Sequence, residues 1–295
     1  MSEVRIDALL PAEMATRAEY IGARKAEIPF LKMFMLSVLA GAFIALGSIF
    51  ATTVSAGSMP ITAADGTVVF STGLPFGVTR LLAGLVFSLG LILVVVGGAE
   101  LFTGNNLIVM AWASGKVTFV AMLRNWVIVY LGNFTGAFTT AILMFYTRQY
   151  TFGNNAVGIT ALNIGVLKSS FGFLQAVALG ILCNALVCMA VWLTFSARST
   201  TDKIMAIIFP ITAFVTAGFE HSIANMYFVP YALLVKAGDP EFIGKVADRI
   251  PNLDMLTWRN FFLNDLIPVT IGNIIGGAVF VAAVYWAIFL RRQDQ

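Results

Sequence analysis

Two short stretches of this sequence, GAELFTGN at residues 98–105 and GFEHSIAN at residues 218–225, share the pattern G-x-E-x-x-x-x-N and decide the fold. Each one interrupts an apolar segment that is long enough to cross a membrane. Backbone N–H and C=O groups freed from a helix are unfavourable in hydrocarbon, so such a break survives only where it is buried in protein or lines a cavity. We therefore predict two broken membrane helices that line a pathway.

A second matched pair extends the repeat to the third and sixth apolar segments. LGNFTGA at 131–137 matches IGNIIGG at 271–277, and a polar residue, Asn125 or Asp265, precedes each stretch by the same distance. The chain is therefore a duplication of three membrane-spanning segments. Three segments in each half give the halves opposite orientations, the inverted-repeat plan of transporters and channels, whose functional site lies near mid-membrane where the broken helices meet.

Hydropathy over a window of about twenty residues predicts six spans, and so an all-α membrane protein. The spans cover 33–53, 81–112 with a break after residue 96, 119–146, 171–195, 204–235 with a break at 218–225, and 261–290. Residues 1–29 are expected to hold a short helix that starts between Asp7 and Pro11 and ends near Glu27. Residues 30–290 form one transmembrane domain, with repeats at 30–146 and 168–290, and 291–295 form a tail. More of the 18 lysines and arginines lie on the side of the termini, so we expect both termini in the cytoplasm.

The composition excludes several classes of function. Only 11% of the residues are charged, against about 25% in soluble domains, so the apolar segments must face lipid or one another. The basic residues are scattered along the chain, which argues against a nucleic-acid partner. A single histidine excludes a multi-histidine metal centre, and we expect no metal, no cofactor and no enzymatic centre. The paired Asn-Pro-Ala motifs of water channels do not occur in the sequence.

His221 and Thr103 are the residues of the two breaks that best fit a role in transport. A lone histidine is usually a core residue, but an ionisable group inside a membrane is unfavourable and marks function more often than not. Histidine can also change its charge near neutral pH. The Thr103 hydroxyl lies in the other break, where it can donate to an anion or to His221.

The remaining polar residues of the breaks favour structural roles. Glu100 and Glu220 are expected to cap backbone N–H groups freed at the breaks, because two bare carboxylates along a path for anions would repel them. Gly98 and Gly218 permit the turns. Four asparagines are expected to be hydrogen-bond clips between helices: Asn105, Asn133, Asn225 and Asn273. Taken alone, Phe87, Leu91 and Lys168 are ordinary apolar or surface residues.

With these residues in view, the chain resembles the formate/nitrite transporter family, most closely its formate channel branch. The similarity runs over nearly the whole chain. It is carried by IDALLPAEMA at 6–15, GAELFT at 98–103, LVCMAVW at 186–192, GFEHSIANM at 218–226 and LIPVTIGNIIGG at 266–277. EHSIAN is the most specific of these motifs. The resemblance implies an aquaporin-like protomer, a pentamer, and a place in the bacterial inner membrane.

The resemblance also implies roles for individual residues. His221 would be the central residue of the pore, with Thr103 opposite it on a mobile loop, and Lys168 would give the outer vestibule its positive potential. Asn184 and Asn225 would be polar groups around the histidine. The outer apolar constriction would consist of Phe87 and Phe214, and the inner one of Leu91, Leu101, Phe102 and Val187.

These comparisons favour formate over nitrite as the transported anion. The IPVTIGN run and the N-terminal LLPA motif are typical of the formate branch, whereas Gly104-Asn105 after Thr103 is closer to the nitrite branch. Transfer of a bare anion into low dielectric is strongly unfavourable, so we expect formate to be protonated near His221 and to cross as the neutral acid. Passive conduction of the anion past an uncharged His221 is the alternative.

Overall fold

A computed structural model describes residues 8–57, 61–62, 68–70 and 74–291, so the predicted start of the first helix at Asp7 and residues 292–295 of the tail lie outside the described part. Six helical segments are long and apolar enough to cross a membrane, as the sequence predicts. Their bounds, with the half-helices of the two breaks and the short helices between spans, are: α1 Pro11–Ala26, α2 Phe30–Ala56, α3 Phe76–Gly97, α4 Phe102–Asn105, α5 Ile108–Ala113, α6 Phe119–Thr147, α7 Ala156–Ser169, α8 Phe173–Ser196, α9 Thr200–Ala217, α10 Ser222–Gly238, α11 Pro240–Val246 and α12 Trp258–Phe289.

Between these helices, the described residues also form short irregular elements. Three 3₁₀ turns lie at Gln149–Thr151, Ala247–Arg249 and Leu253–Met255. Between α2 and α3, the strands β1 (Ile61–Thr62) and β2 (Val68–Phe70) pair antiparallel, a small hairpin that the sequence did not predict.

Glycines let the first and third spans of each repeat approach closely. At Gly136 in α6, an added Cβ would lie 1.9 Å from the carbonyl oxygen of Val38 in α2. At the matched Gly276 in α12, it would lie 2.2 Å from the carbonyl oxygen of Ile181 in α8. Small residues allow this backbone contact between membrane helices, where packing rather than exclusion of water drives association. The repeat seen in the sequence is therefore a repeat of helix packing.

Both predicted breaks are present, and each begins at a left-handed glycine. Gly98 has φ of +75° at the end of α3, and Gly218 has φ of +79° at the end of α9. Glycine adopts this conformation without the strain that a Cβ would bring. Three extended residues follow each glycine before the chain turns into α4 or α10. These matched turns place the loops of the two breaks inside the protein.

A short helix with a basic last turn precedes each half of the membrane domain. α1 carries Lys25 in its last turn and leads into the first span, while α7 carries Lys168 in its last turn and leads into the fourth. The sequence predicted α1 but not α7. Each lysine pairs with the glutamate of a break, Lys25 with Glu100 and Lys168 with Glu220. This equivalence indicates that each repeat begins with its short helix, α1 or α7, rather than at residue 30 or 168.

The sixth span departs from regular helix in two stretches. Phe261–Leu266 and Ile275–Ala283 are π-helical. Pro268 has no N–H to donate to the carbonyl of residue 264, so the turn before it widens. Asp265 lies in the first of these wide turns and is completely buried.

Candidate functional site

Two cavities approach the breaks from opposite ends of the protein. One of about 310 Å³, here called the Lys168 vestibule, is lined by Arg80, Phe87, Lys168, Phe214, Glu220 and His221 among others. The other, of about 270 Å³ and called the N-helix vestibule, is lined by residues of α1 together with Leu91, Glu100, Leu101 and Lys203. Both breaks contribute to the walls, as expected for a pathway between inverted repeats.

His221 and Thr103 meet where the two broken helices come together. The Nε2 atom of His221 lies 3.1 Å from the Thr103 hydroxyl oxygen, across 118 residues of sequence. Both side chains are buried: His221 is 3% exposed and Thr103 is fully covered. The pairing of these two residues, proposed from the sequence, is thus present in the structure.

The hydrogen bonds of His221 define which ring nitrogen carries its proton. The backbone N–H of Ala224 donates to Nδ1 at 3.1 Å, so His221 is the N-cap residue of α10 through its own ring. An acceptor nitrogen carries no hydrogen, and a neutral imidazole therefore has its proton on Nε2. The Nε2–H group donates to Thr103, which leaves the Thr103 hydroxyl hydrogen free for a ligand. A proton on Nδ1 would require this cap bond to open.

An aromatic pair lies next to His221 in the wall of the Lys168 vestibule. The rings of Phe87 and Phe214 pack edge to face, with centroids 5.7 Å apart and planes at 85°. Phe214 also stacks on the His221 ring, with centroids 5.9 Å apart. These rings make the surroundings of the histidine on this side largely apolar.

The four apolar residues expected on the other side are divided between three places. Leu91 and Leu101 line the N-helix vestibule and are nearly fully buried. The Phe102 ring packs edge to face on Tyr130, 4.9 Å away, and on Trp126, so it points toward α6 and a groove on the outer surface. Val187 is buried in the core formed by α8 and its neighbours.

Each glutamate of the breaks is held by a lysine and an asparagine. In the first break, Lys25 lies 2.8 Å from one Glu100 oxygen and 2.9 Å from the other, and the Asn105 amide donates to Glu100 at 2.8 Å. In the second, Lys168 lies 2.6 Å from Glu220, and the Asn225 amide donates to Glu220 at 2.8 Å. The expectation that the two carboxylates cap freed backbone N–H groups is wrong. In the described residues they accept hydrogen bonds from lysine and asparagine side chains. They are instead the buried anions of two ion pairs.

Asn133 and Asn273 make the backbone contacts that the glutamates do not. The Asn133 side chain accepts from the N–H of Phe102 at 2.9 Å and donates to the carbonyl of Glu100 at 2.9 Å. Asn273 accepts from the N–H of Ser222 and donates to the carbonyl of Glu220, also at 2.9 Å. Each asparagine side chain thus bonds one backbone N–H group and one backbone carbonyl of its loop. The prediction that these asparagines are hydrogen-bond clips is correct.

Asn184 holds the loop of the first break from α8. Its amide nitrogen lies 3.3 Å from the carbonyl of Thr103, 2.9 Å from the Asn106 side-chain oxygen and 2.6 Å from the carbonyl of Asn273. Asn184 is therefore bound to the Thr103 loop rather than to the histidine ring. Asn106 is fully buried in this contact and is a site residue that sequence reasoning missed.

Both vestibules carry cations that lie outside the ion pairs. Arg80 donates to the carbonyls of Val215 and Thr216 at the end of α9, and no carboxylate of the described residues lies within salt-bridge distance of it. Arg17 and Lys203 line the N-helix vestibule, and the described part of the chain shows no ion pair for either. The charges of Lys25 and Lys168 are offset by their glutamates, so the lining cations that no carboxylate of the described residues offsets are Arg17, Arg80 and Lys203.

Comparisons with known proteins agree with this architecture. The family model for formate/nitrite transporters matches residues 12–287. The formate channel FocA of Escherichia coli K12 is 44% identical over 289 residues, covering 98% of this chain and 97% of that protein. FocA of Haemophilus influenzae is 41% identical, covering 93% of this chain and 92% of its own. A solved structure described as a pentameric formate channel with formate bound is 46% identical, with a TM-score of 0.77, and covers 89% of this chain and 98% of that chain.

Proposed function

The chain belongs to the formate/nitrite transporter family, and on that premise we propose that it carries formate across the membrane, past His221 and Thr103. Formate is the substrate in the names of the relatives that are 44% and 41% identical over almost their whole length. The observation that carries the proposal is the His221–Thr103 contact between two cationic vestibules. It offers hydrogen-bond donors to a small carboxylate at the one point where polar side chains of both breaks meet.

Attraction and orientation follow from the charges and donors on this path. The cations at each mouth that form no ion pair with the described residues raise the local concentration of a monovalent anion. At the centre, the free Thr103 hydroxyl donates to a carboxylate oxygen, and the Nε2–H of His221 becomes a second donor if it turns from Thr103 to the ligand. A carboxylate has four acceptor sites and can take both bonds. A neutral solute of similar size gains less from this arrangement than an anion does.

Protonation of formate at the centre is the mechanism that we favour. A proton that binds Nδ1 of His221 makes the ring an imidazolium, and the Nε2–H proton then passes to a formate oxygen, which leaves neutral formic acid and a neutral ring. The first step opens the N-cap bond to Ala224, and loss of a helix cap costs about 1 kcal/mol. That amount is small against the several kcal/mol needed to bury a bare anion. The ring then carries its hydrogen on Nδ1, and it returns to the resting tautomer when Nε2 takes up a proton and Nδ1 releases one, which restores the bond from Ala224.

Passive conduction of the anion is the second candidate. The occupied Nδ1 of His221 favours it, because the resting ring is neutral and already serves as a donor at Nε2. Nitrite is the alternative substrate, since a nitrite ion has the same charge and similar acceptor atoms.

The assembly and its place in the cell are proposed by analogy. A relative solved as a pentamer supports a homopentamer with one pathway in each protomer. Relatives from E. coli and H. influenzae support a bacterial inner membrane. The excess of basic residues on the side of the termini favours cytoplasmic termini, which would make the Lys168 vestibule face outward.

Uptake of labelled formate into proteoliposomes tests the proposal. We expect formate uptake that nitrite inhibits only weakly, that rises as the external pH falls, and that loses this pH dependence in His221→Asn and His221→Phe. Lys245→Gln, in an exposed pair on α11, is the matched control and should behave as the wild type. Uptake that prefers nitrite would reassign the substrate. Formate uptake with no pH dependence, unchanged in both His221 variants, would refute the proton step and leave passive conduction.

A further inference from the structure

The two clusters of buried polar groups at the breaks differ at one position. Asn125 and Asp265 occupy matched places in α6 and α12, eight residues before the matched Asn133 and Asn273. In the first repeat, the Asn105 amide donates to Glu100 at 2.8 Å and to the Asn125 side-chain oxygen at 2.9 Å. In the second, the Asn225 amide donates to Glu220 at 2.8 Å and to Asp265 Oδ1 at 2.5 Å. An aspartate thus stands where the other half has a neutral amide.

The aspartate at this position adds a second carboxyl group to the second cluster and so changes its charge balance. The first cluster holds one cation, Lys25, and one carboxylate, Glu100. The second holds one cation, Lys168, and two carboxyl groups, Glu220 and Asp265, joined by one amide. Asp265 is fully buried, and Lys168 and Glu220 are 11% and 5% exposed. An isolated carboxylate in such a place is strongly unfavourable, and the usual relief is that the group takes up a proton.

Two oxygens of the cluster have no hydrogen-bond partner among the described residues, and a proton on Asp265 would serve one of them. Asp265 Oδ2 and Asn225 Oδ1 are both buried without a hydrogen bond to the described residues. In the first repeat, the atom matched to Asp265 Oδ2 is Nδ2 of Asn125, which donates to the carbonyl of Lys25 at 3.1 Å. A hydrogen on Asp265 would restore the missing donor at this position.

The groups that face Asp265 do not supply a second positive charge. Lys168 and Glu220 are the charged groups that interact electrostatically with Asp265. The Tyr130 hydroxyl of α6 also interacts with it. Among the described residues, the helices packed against this turn of α12 carry one further cation, Lys236 of α10, whose ammonium donates to the carbonyls of Leu253 and Leu256. Their other titratable side chains are ordinarily neutral at pH 7, namely Cys183 and Cys188 of α8 and His221, Tyr227 and Tyr231 at the cap and in the body of α10.

We propose that Asp265 is a proton-binding site, occupied at neutral pH, whose proton lets Lys168 pair with Glu220 alone. The bound proton makes the second cluster electrically equivalent to the first, with one cation, one anion and a neutral hydrogen-bonding residue beside them. Its loss would add a negative charge behind the Lys168 vestibule and offset the charge of Arg80. The site is separate from the His221–Thr103 contact and does not depend on formate being the substrate.

Infrared spectroscopy of the purified protein tests this directly. The carbonyl stretch of a protonated carboxyl group is separated from that of a carboxylate, and ¹³C labelling of the aspartate carboxyls moves their signal away from glutamate and lipid. We expect one buried protonated aspartate per protomer at pH 7. Its band should disappear in Asp265→Asn and stay in Asp254→Asn, a control at an exposed position. No such band in the wild type, which is the result if an ordered water rather than a proton serves Asp265, would overturn the proposal.

A substitution in the other repeat keeps the test decisive if Asp265→Asn does not fold. Asn125→Asp recreates the second cluster in the first, beside Lys25 and Glu100. We expect this variant to gain a second protonated aspartate band at pH 7 and to lose thermal stability on a shift from pH 7 to pH 9. A new aspartate that is ionised at pH 7 would contradict the charge argument on which the site rests.

Discussion

Replacing Lys168 with methionine should strongly destabilise the protein, because it leaves a buried carboxylate without its cation. Lys168 lies 2.6 Å from Glu220, and the two side chains are 11% and 5% exposed. Removing one member of a buried ion pair costs about 3–5 kcal/mol, most of it from the charge left behind. The Asn225 amide still donates to Glu220, so we expect a value near the lower end, about 3 kcal/mol.

The double variant Lys168→Met/Glu220→Gln separates two contributions to the free energy of unfolding: the lost attraction between the two charges, and the cost of leaving the Glu220 carboxylate buried without a cation. A buried ion pair replaced as a whole by neutral groups is often tolerated, so the double variant should lie within about 1 kcal/mol of the wild type. The measurement is the free energy of unfolding from denaturant titration in detergent micelles, for both single variants and the double variant. We expect a coupling energy of about 2 kcal/mol or more between the two sites.

The matched pair in the first break is the control. Lys25 is 27% exposed, so water can solvate Glu100 once the lysine is gone, and Lys25→Met should cost about half as much as Lys168→Met. Equal losses at the two sites, or effects of Lys168→Met and Glu220→Gln that simply add, would refute the view that burial makes the second pair interdependent.

Two further predictions concern packing and pH. Gly136→Ala should lower the melting temperature by several degrees, because the new Cβ would lie 1.9 Å from the Val38 carbonyl oxygen and such overpacking costs about 1–3 kcal/mol; Gly77→Ala, where an added Cβ meets nothing within 4 Å, is the control and should melt as the wild type does. Bonds from the backbone N–H of Phe242 and from the Tyr150 hydroxyl lower the pKa of Asp239, at the start of α11. A lowered pKa means stabilisation that is present above the unfolded value and is lost as the pH falls through the folded value. Asp239→Asn should therefore lower the melting temperature at pH 7, with the difference from the wild type shrinking as the pH falls through the folded-state pKa of Asp239; a difference of unchanged size in acid would contradict this assignment.

The fold could be read from the sequence because bilayer length and backbone hydrogen bonding leave few choices. Apolar segments of about twenty residues predict spans, and matched Gly-x-Glu patterns predict matched breaks, which Gly98 and Gly218 form with left-handed backbone. The helix α7 was missed because its 14 residues are too short to span a bilayer and carry no polar face. The hairpin between α2 and α3 was missed although Asp65-Gly66 between its strands is a hairpin turn signal, because strands of two and three residues show no alternating pattern.

The partners of the glutamates could not be read from the sequence. Lys25 looks like one of several surface charges on α1, and its contact with Glu100 spans 75 residues of sequence. Lys168 likewise precedes a span, where basic residues are common. One signal was available: both lysines lie in the last turn of a helix that leads into the first span of a half, and both breaks have a glutamate two residues after their glycine. A comparison of the two halves that included α1 and α7 would have matched Lys25 with Lys168.

The differences between the two halves separate scaffold from chemistry. The glycine, glutamate and asparagine of each break, the lysine that pairs with the glutamate and the asparagine that fastens the loop occur in both halves with nearly the same contacts. Groups that occur twice in equivalent geometry serve what both halves need, which is a loop held stably inside a membrane. His221 has Leu101 as its counterpart, and Thr103 has Ile223. A single pathway between two inverted halves has one centre, and an anion at that centre needs a donor from each side. Because each half supplies a different one, the histidine from one break and the hydroxyl from the other, the site itself must break the symmetry that builds it.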